Sequence, residues 1–154
     1  PQVIPIALGL LNPNGDEVLP TQVLEMTEAT QDFTFDGLSS RPVASILRGF
    51  SAPVILDHKA GEDQRSFLLS HDTDPFNRWE AGRSLLREVL VEEITTPETS
   101  PQGVALRENV WDAMASVVSD DTLDPAFRAL ALAFPSEDDL TQAVVDAGLV
   151  PDPA

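Results

Sequence analysis

The chain contains no cysteine. Disulfides, thiolate zinc sites and cysteine nucleophiles are therefore excluded, and the absence fits a reducing, cytoplasmic location. Basic residues are scarce, nine Lys and Arg against 26 Asp and Glu, for a formal charge of -17. Lys59 is the only lysine. Nucleic acid is not expected as a partner, because phosphate binding needs clustered Lys and Arg, and an anionic membrane is disfavoured for the same reason. No apolar run approaches the roughly 20 residues of a membrane-spanning helix. No basic stretch leading into an apolar core marks a signal peptide. Pro1 stands where an initiating Met would, which points to a piece cut from a longer chain. A 42% hydrophobic content is too high for a disordered chain. The 154 residues suffice for one domain, or for a small domain and part of another.

The first third has the pattern of strands and turns. Val3 to Leu11 is short, apolar and β-branched, which predicts a strand, with Pro5 at an edge or at the start of pairing. Asn12-Pro-Asn-Gly15 predicts a tight turn. Val18 and Leu19 form the return strand, ended by Pro20. Val23 to Met26 follows. From Gln31 to Phe35 the aromatic rings of Phe33 and Phe35 alternate with Asp32 and Thr34, the period of a half-buried strand. Asp36-Gly37 makes a turn. Pro42 to Leu47 and Ala52 to Leu56 supply two more strands, broken at Arg48-Gly49 by a bulge or bend. Five or six short strands with no helix between them predict a small antiparallel β-sandwich.

After Asp57 the pattern becomes helical. Glu62 to Ser70 is a short helix with Phe67 and Leu68 inward. Asp74-Pro75 has the form of an N-cap followed by proline at the first helical position. Phe76, Trp79, Leu85, Leu86, Val89 and Leu90 then make a stripe at helical spacing, with Gly82 near it, and Thr95 to Gly103 is a loop. Val104 to Ser119 carries Val110, Trp111, Met114, Val117 and Val118 on one side. Asp124-Pro125 repeats the capped start and precedes Phe127, Leu130 and Phe134. Ser136-Glu-Asp-Asp139 resembles a capping box for Leu140 to Ala147, and Gly148 is a natural stop. Paired helices joined by short turns predict a solenoid or loose bundle, without a repeat of fixed period. The end, Val150-Pro-Asp-Pro-Ala154, supplies no capping helix, so a truncated helical region with an exposed apolar face is expected. The fold class is thus mixed, β then α, with a β domain over 1–57 and a helical region over 58–154.

The residues that could carry chemistry are few. Zinc hydrolysis needs two imidazoles and a carboxylate on one ion, with a general base beside it. The only histidines, His58 and His71, are thirteen residues apart, so no metal site is expected, and His71 suits the C-terminal end of a helix. Asp72-Thr-Asp74 departs from a calcium loop, since Pro75 lies inside it and Arg83 occupies the twelfth position; Asp74 is expected to cap a helix. Ser51, Ser66 and Ser70 lie in no nucleophile motif. Glu92-Glu93 and Asp120-Asp121 are adjacent acids of the kind that face water. No catalytic, cofactor-binding or metal-binding residue is therefore assigned. Arg48, among apolar residues at a bend, has two readings: an ion pair with a carboxylate of another domain, or a solvated bulge residue. Arg78 is expected to pair with Asp74 or to cover an aromatic ring.

Phe33-Thr-Phe-Asp36, Arg41-Pro-Val43, Arg48-Gly-Phe-Ser-Ala-Pro-Val54, Phe67-Leu-Leu-Ser-His71 and Asp74-Pro-Phe-Asn-Arg-Trp-Glu-Ala81 form an ordered series. It resembles the bacterial aminopeptidase N group of the M1 zinc metallopeptidase family, in the part after the catalytic domain. The resemblance implies an immunoglobulin-like sandwich followed by the start of a large helical domain. It implies a parent that releases N-terminal residues from peptides with one zinc in an upstream domain. The His-Glu-x-x-His and Gly-x-Met-Glu-Asn segments of that family are absent here, so no catalytic residue carries over and no cofactor is expected in this chain. Its partners would be the parent's other domains, its role spacing the catalytic domain from the helical one, and the peptide substrates would be the parent's. The rival reading is a free-standing protein-binding module. A small unrelated hydrolase is a third, and it requires turnover by this chain alone.

Overall fold

The structure, a computed structural model, describes residues 3–56, 60–95 and 101–151. Strands β1 (Ile4–Leu11), β2 (Glu17–Met26) and β3 (Val43–Ile46) form one antiparallel sheet in the order β2-β1-β3. The β1–β2 turn closes where expected, with the Gly15 N–H donating to Asn12 O at 2.9 Å and Gly15 at φ +92°. Pro5 sits where β1 has only β2 beside it, since β3 pairs with Leu8–Leu11 alone. The central strand is buried on both faces from Ala7 to Leu11, so its apolar run is continuous rather than alternating.

Three predicted features differ. Pro20 does not end a strand: β2 runs through it as one strand. The register moves from Leu8↔Gln22 to Leu10↔Leu19 and then to Leu11↔Glu17. Each step adds one residue to β2, and Pro20 falls in the first such bulge, on an edge strand where its missing N–H breaks no ladder. Residues 31–35 make no ladder, although Phe33 and Phe35 are half-buried as the alternation requires. Residues 52–56 bend instead of pairing: the Val54 N–H turns back to Ala52 O, and Ile55 is wholly exposed. The five or six strands of the sequence pattern are thus three strands and two unpaired extended or bent segments among the described residues. Strand-like composition makes a strand only where a neighbour supplies hydrogen bonds.

Five helices follow: α1 (Glu62–His71), α2 (Pro75–Thr95), α3 (Pro101–Ser119), α4 (Pro125–Ala131) and α5 (Glu137–Asp146). The chain packs as two compact units, residues 1–78 and 79–154. The first holds the sheet, α1 and the first turn of α2, with Leu10, Leu11, Leu47, Ala52 and Leu69 among its buried residues.

In the second unit the α2 stripe buries Leu85, Leu86 and Val89, and α3 buries Leu106, Val110, Ala113, Met114 and Val117. That α3 stripe recurs at three and four residues, and it leaves Trp111 and Val118 exposed, one position around the helix. Helix α3 begins at Pro101, three residues before the predicted start. The caps are as the sequence implies. Asp124 accepts from the Ala126 and Phe127 N–H groups, and Ser136 and Asp139 form a reciprocal capping box. Gly148, at φ +78°, closes α5 with the Leu149 N–H on Val144 O and its own N–H on Val145 O, the paired bonds of a Schellman motif.

Candidate functional site

The polar centre of the first unit is Arg48. It is 4% exposed, and Asp72 and Ser45 beside it are 2% and 0% exposed. Every polar atom of the guanidinium is used. Arg48 Nε donates to Ser45 Oγ (2.9 Å), Nη1 to Thr21 Oγ1 (2.9 Å) and to Glu17 Oε1, and Nη2 to Asp72 Oδ1 (3.1 Å). Ser45 Oγ donates to Asp72 Oδ2 at 2.6 Å, and Asn77 Nδ2 donates to Ser45 Oγ (2.8 Å) and Ile46 O (2.9 Å). The solvated reading of Arg48 is corrected, because the side chain is buried. Of its two carboxylate partners, Glu17 lies in the predicted β domain and Asp72 beyond its predicted boundary at residue 57, and both belong to the same compact unit as Arg48.

Sheet geometry explains how these residues meet. Gly9 pairs with Ser45 and Leu11 with Glu17, and side chains alternate along a strand, so Gly9, Ser45, Glu17 and Thr21 share one face. An unbroken ladder from Leu8↔Gln22 would have set Leu19 opposite Leu11. The two bulges of β2 slide it by two residues, which carries Glu17 into reach of Arg48 and keeps it on the same face. Gly9 leaves room for the guanidinium: a Cβ there would stand 2.2 Å from Arg48 Cζ.

The backbone around Arg48 is held in an unusual form. Leu47 (φ 59°), Gly49 (φ 60°) and Phe50 (φ 55°) all adopt the left-handed conformation. That conformation costs about 1–2 kcal/mol for each non-glycine residue. The neighbouring bonds hold it: the Gly49 N–H donates to Asp74 Oδ2 (3.0 Å), and the Ala7 N–H to Ser51 Oγ (2.9 Å). The other Asp74 oxygen accepts from the Asn77 N–H (2.9 Å), so Asp74 caps α2 as expected and also ties α2 to the loop. Arg78 is buried, with Nε on Leu69 O (2.7 Å) and Nη2 on Ser70 O (2.9 Å). It thus caps the carbonyl end of α1, and Arg83 lies over the Trp79 ring, 5.5 Å from its centroid.

The two carboxyls of the centre are perturbed in opposite directions. The hydrogen bond from Arg48 holds Glu17 below its ordinary value, with help from Thr73. Burial pushes Asp72 up, against the hydrogen bonds of Ser45 and the Asp74 N–H and the charge of Arg48. The difference follows from burial: Glu17 keeps contact with solvent, whereas Asp72 is buried, and there the loss of water outweighs its favourable contacts.

The other sequence candidates do not converge. His71 is exposed at the end of α1 with its ring 4.8 Å from that of Phe67, and His58 lies outside the described residues. Ser51 accepts a backbone bond, and Ser66 Oγ is buried without a partner among the described residues. Glu93 pairs with Arg107, and Asp121 with Arg128. Among the described residues no three His, Asp or Glu side chains are placed to hold a metal, and a zinc ion does not fit the donor set around Arg48. Sequence reasoning missed Glu17, Thr21, Ser45 and Asp72 as partners of Arg48, and Gly9 and Asn77 as the residues that make room for the guanidinium and brace Ser45. The available signal was an arginine inside an apolar run, which must find a carboxylate.

Residues 1–59 match a family described as a domain of unknown function (DUF3458) with an Ig-like fold, and residues 62–153 one described as a domain of unknown function (DUF3458_C) with ARM repeats. The chain is 42% identical over 134 residues to aminopeptidase N of Caulobacter vibrioides and 35% identical over 150 residues to that of Escherichia coli. Those matches cover 87% and 92% of this chain but 15% and 17% of the relatives, so the chain spans a small part of their length. A crystal structure of Legionella pneumophila aminopeptidase A in complex with aspartic acid is 29% identical, with a TM-score of 0.72, over 92% of this chain and 16% of that one. With its helical match covering more than half of its residues, this chain belongs to the DUF3458_C family and carries the Ig-like DUF3458 segment ahead of its ARM-repeat helices.

Proposed function

We propose that this chain is a non-catalytic part of a zinc aminopeptidase, and that it spaces the catalytic domain from the helical domain. The parent would be cytoplasmic, hold its zinc upstream, release N-terminal residues from peptides, and supply the chain's partners from its other domains. The observation that carries this reading is the buried Arg48 centre. It gathers β1, β2, β3 and the start of α2 through side chains whose donors and acceptors are spent on one another. Such a closed centre has no room for a substrate, and it ties the first turn of α2 to the sheet. The similarity to aminopeptidase N supports the choice of parent. The exposed Trp111, Val118, Leu130 and Phe134 support packing against further protein.

The test is elemental analysis for zinc on the purified chain, paired with release of a chromogenic leaving group from aminoacyl substrates. No zinc and no turnover are expected. Stoichiometric zinc with turnover would overturn the reading and reinstate a small hydrolase. In the intact parent, Arg48→Ala should lower turnover while zinc content is kept; unchanged turnover would argue against the spacer role.

A further inference from the structure

The segment after β2 has the alternation of a strand and no ladder. Residues 32–39 make no hydrogen bond, backbone or side chain, among the described residues. Backbone donors and acceptors are obligatory bonding groups, so this run holds a row of unused ones. It does not lie flat on the sheet. A cleft of about 560 Å³ separates it from β2, lined by Leu19, Gln22, Leu24, Phe33, Phe35 and Leu38 among others. That volume is within the range of about 300–1,000 Å³ typical of ligand pockets. The lining runs without a bend from Phe33 to Asp36 and turns at Gly37, where φ is +76°, so at roughly 3.3 Å per residue it matches about four residues of extended chain.

Charge selects the occupant. The first 40 residues contain no Lys or Arg and six Asp and Glu. Asp36 lines the cleft and Asp32 directly precedes its lining residue Phe33, and neither is paired with a cation among the described residues. We infer that this cleft is a docking slot for an extended cationic peptide from another chain. The peptide pairs its backbone with residues 33–36, sets alternate apolar side chains against Leu24 and Phe35, and places Lys or Arg beside Asp32 and Asp36. This is strand addition to an unpartnered segment, with affinity from main-chain bonds and specificity from alternate side chains. It does not depend on the aminopeptidase reading.

The probe is an acetylated, fluorescently labelled heptapeptide alternating Val or Thr with Lys or Arg, titrated into the 154-residue chain and read by anisotropy and amide exchange. Saturable binding is expected, with amides among residues 33–36 gaining protection. A peptide with Glu in place of Lys and Arg should bind at least ten-fold more weakly, and one N-methylated at alternate residues should not bind. The doubly substituted D32N/D36N chain, altered only at exposed positions, should lose several-fold in affinity for the cationic peptide while keeping its circular dichroism spectrum. Absence of binding, equal binding of the Glu peptide, or binding without protection among residues 33–36 would each overturn the inference. Protection already present in the free chain would identify the chain itself as the cover. Protection rising with protein concentration would identify a second copy. Either would also overturn it.

Discussion

Gly9→Ala is expected to be among the most damaging single changes in the first unit, and for a reason outside β1. Gly9 has a φ that any residue adopts, so the cost is not backbone strain. A Cβ there meets Arg48 Cζ, Nη1 and Nε at 2.2, 2.3 and 2.7 Å. A free arginine would swing aside at little cost, but this one is pinned by Ser45, Thr21, Glu17 and Asp72. Moving it separates a buried ion pair, and losing one partner of such a pair costs about 3–5 kcal/mol. Overpacking alone costs about 1–3 kcal/mol, so about 3 kcal/mol is expected for Gly9→Ala. Arg48→Ala should cost about 4 kcal/mol, since it strands the buried Asp72 carboxylate.

The decisive quantity is the coupling. In the double variant the arginine is gone and the new methyl group has space, so its cost should match Arg48→Ala alone. The coupling is then about 3 kcal/mol, well beyond the additivity of independent sites. Both tryptophans, Trp79 and Trp111, lie in the second unit, so fluorescence would report on the wrong part. Urea titration followed by exchange protection of the β1 amides isolates the first unit. Additive single costs, within about 0.5 kcal/mol, would refute the account of why position 9 is glycine.

Three further outcomes follow from the geometry. Glu17 has a folded value below its ordinary 4.5, so the stability it contributes is complete above 4.5 and is lost as pH falls through the folded value. Asp72 has the opposite sign: its value is raised, so its burial penalty is relieved as pH falls. Glu17→Gln should therefore flatten the loss of stability on the acid side in a pH series of urea melts, and an unchanged acid limb would count against the Arg48–Glu17 contact. Asn77→Ala removes two hydrogen bonds to the β3 end and should cost about 1–2 kcal/mol, with the first-turn amides of α2 losing protection; loss confined to β3 would show that Asn77 does not tie the helix down. Asp124→Ala should cost about 1 kcal/mol, seen in Trp fluorescence melts of the second unit, and no effect would mean that α4 is held by packing alone.

The local chemistry of this chain was legible without coordinates. The Asn12–Gly15 turn, the Asp74, Asp124 and Ser136 caps and the Gly148 stop are set by residues within five positions of one another, and short-range bonding decides them. The order β then α was legible too, because apolar periodicity changes near residue 57. Which strand-like segments become strands was not: residues 31–35 and 52–56 have the composition, but only tertiary structure decides whether a neighbour lies in hydrogen-bonding reach. The Arg48 centre was the least legible part. Glu17 and Asp72 lie 31 and 24 residues from Arg48, and two bulges in β2 must slip its register before Glu17 arrives. The sequence by itself determined that an arginine stands in an apolar run. Only the folded sheet, by setting Gly9 under the guanidinium and two carboxylates around it, decided that the arginine is buried there.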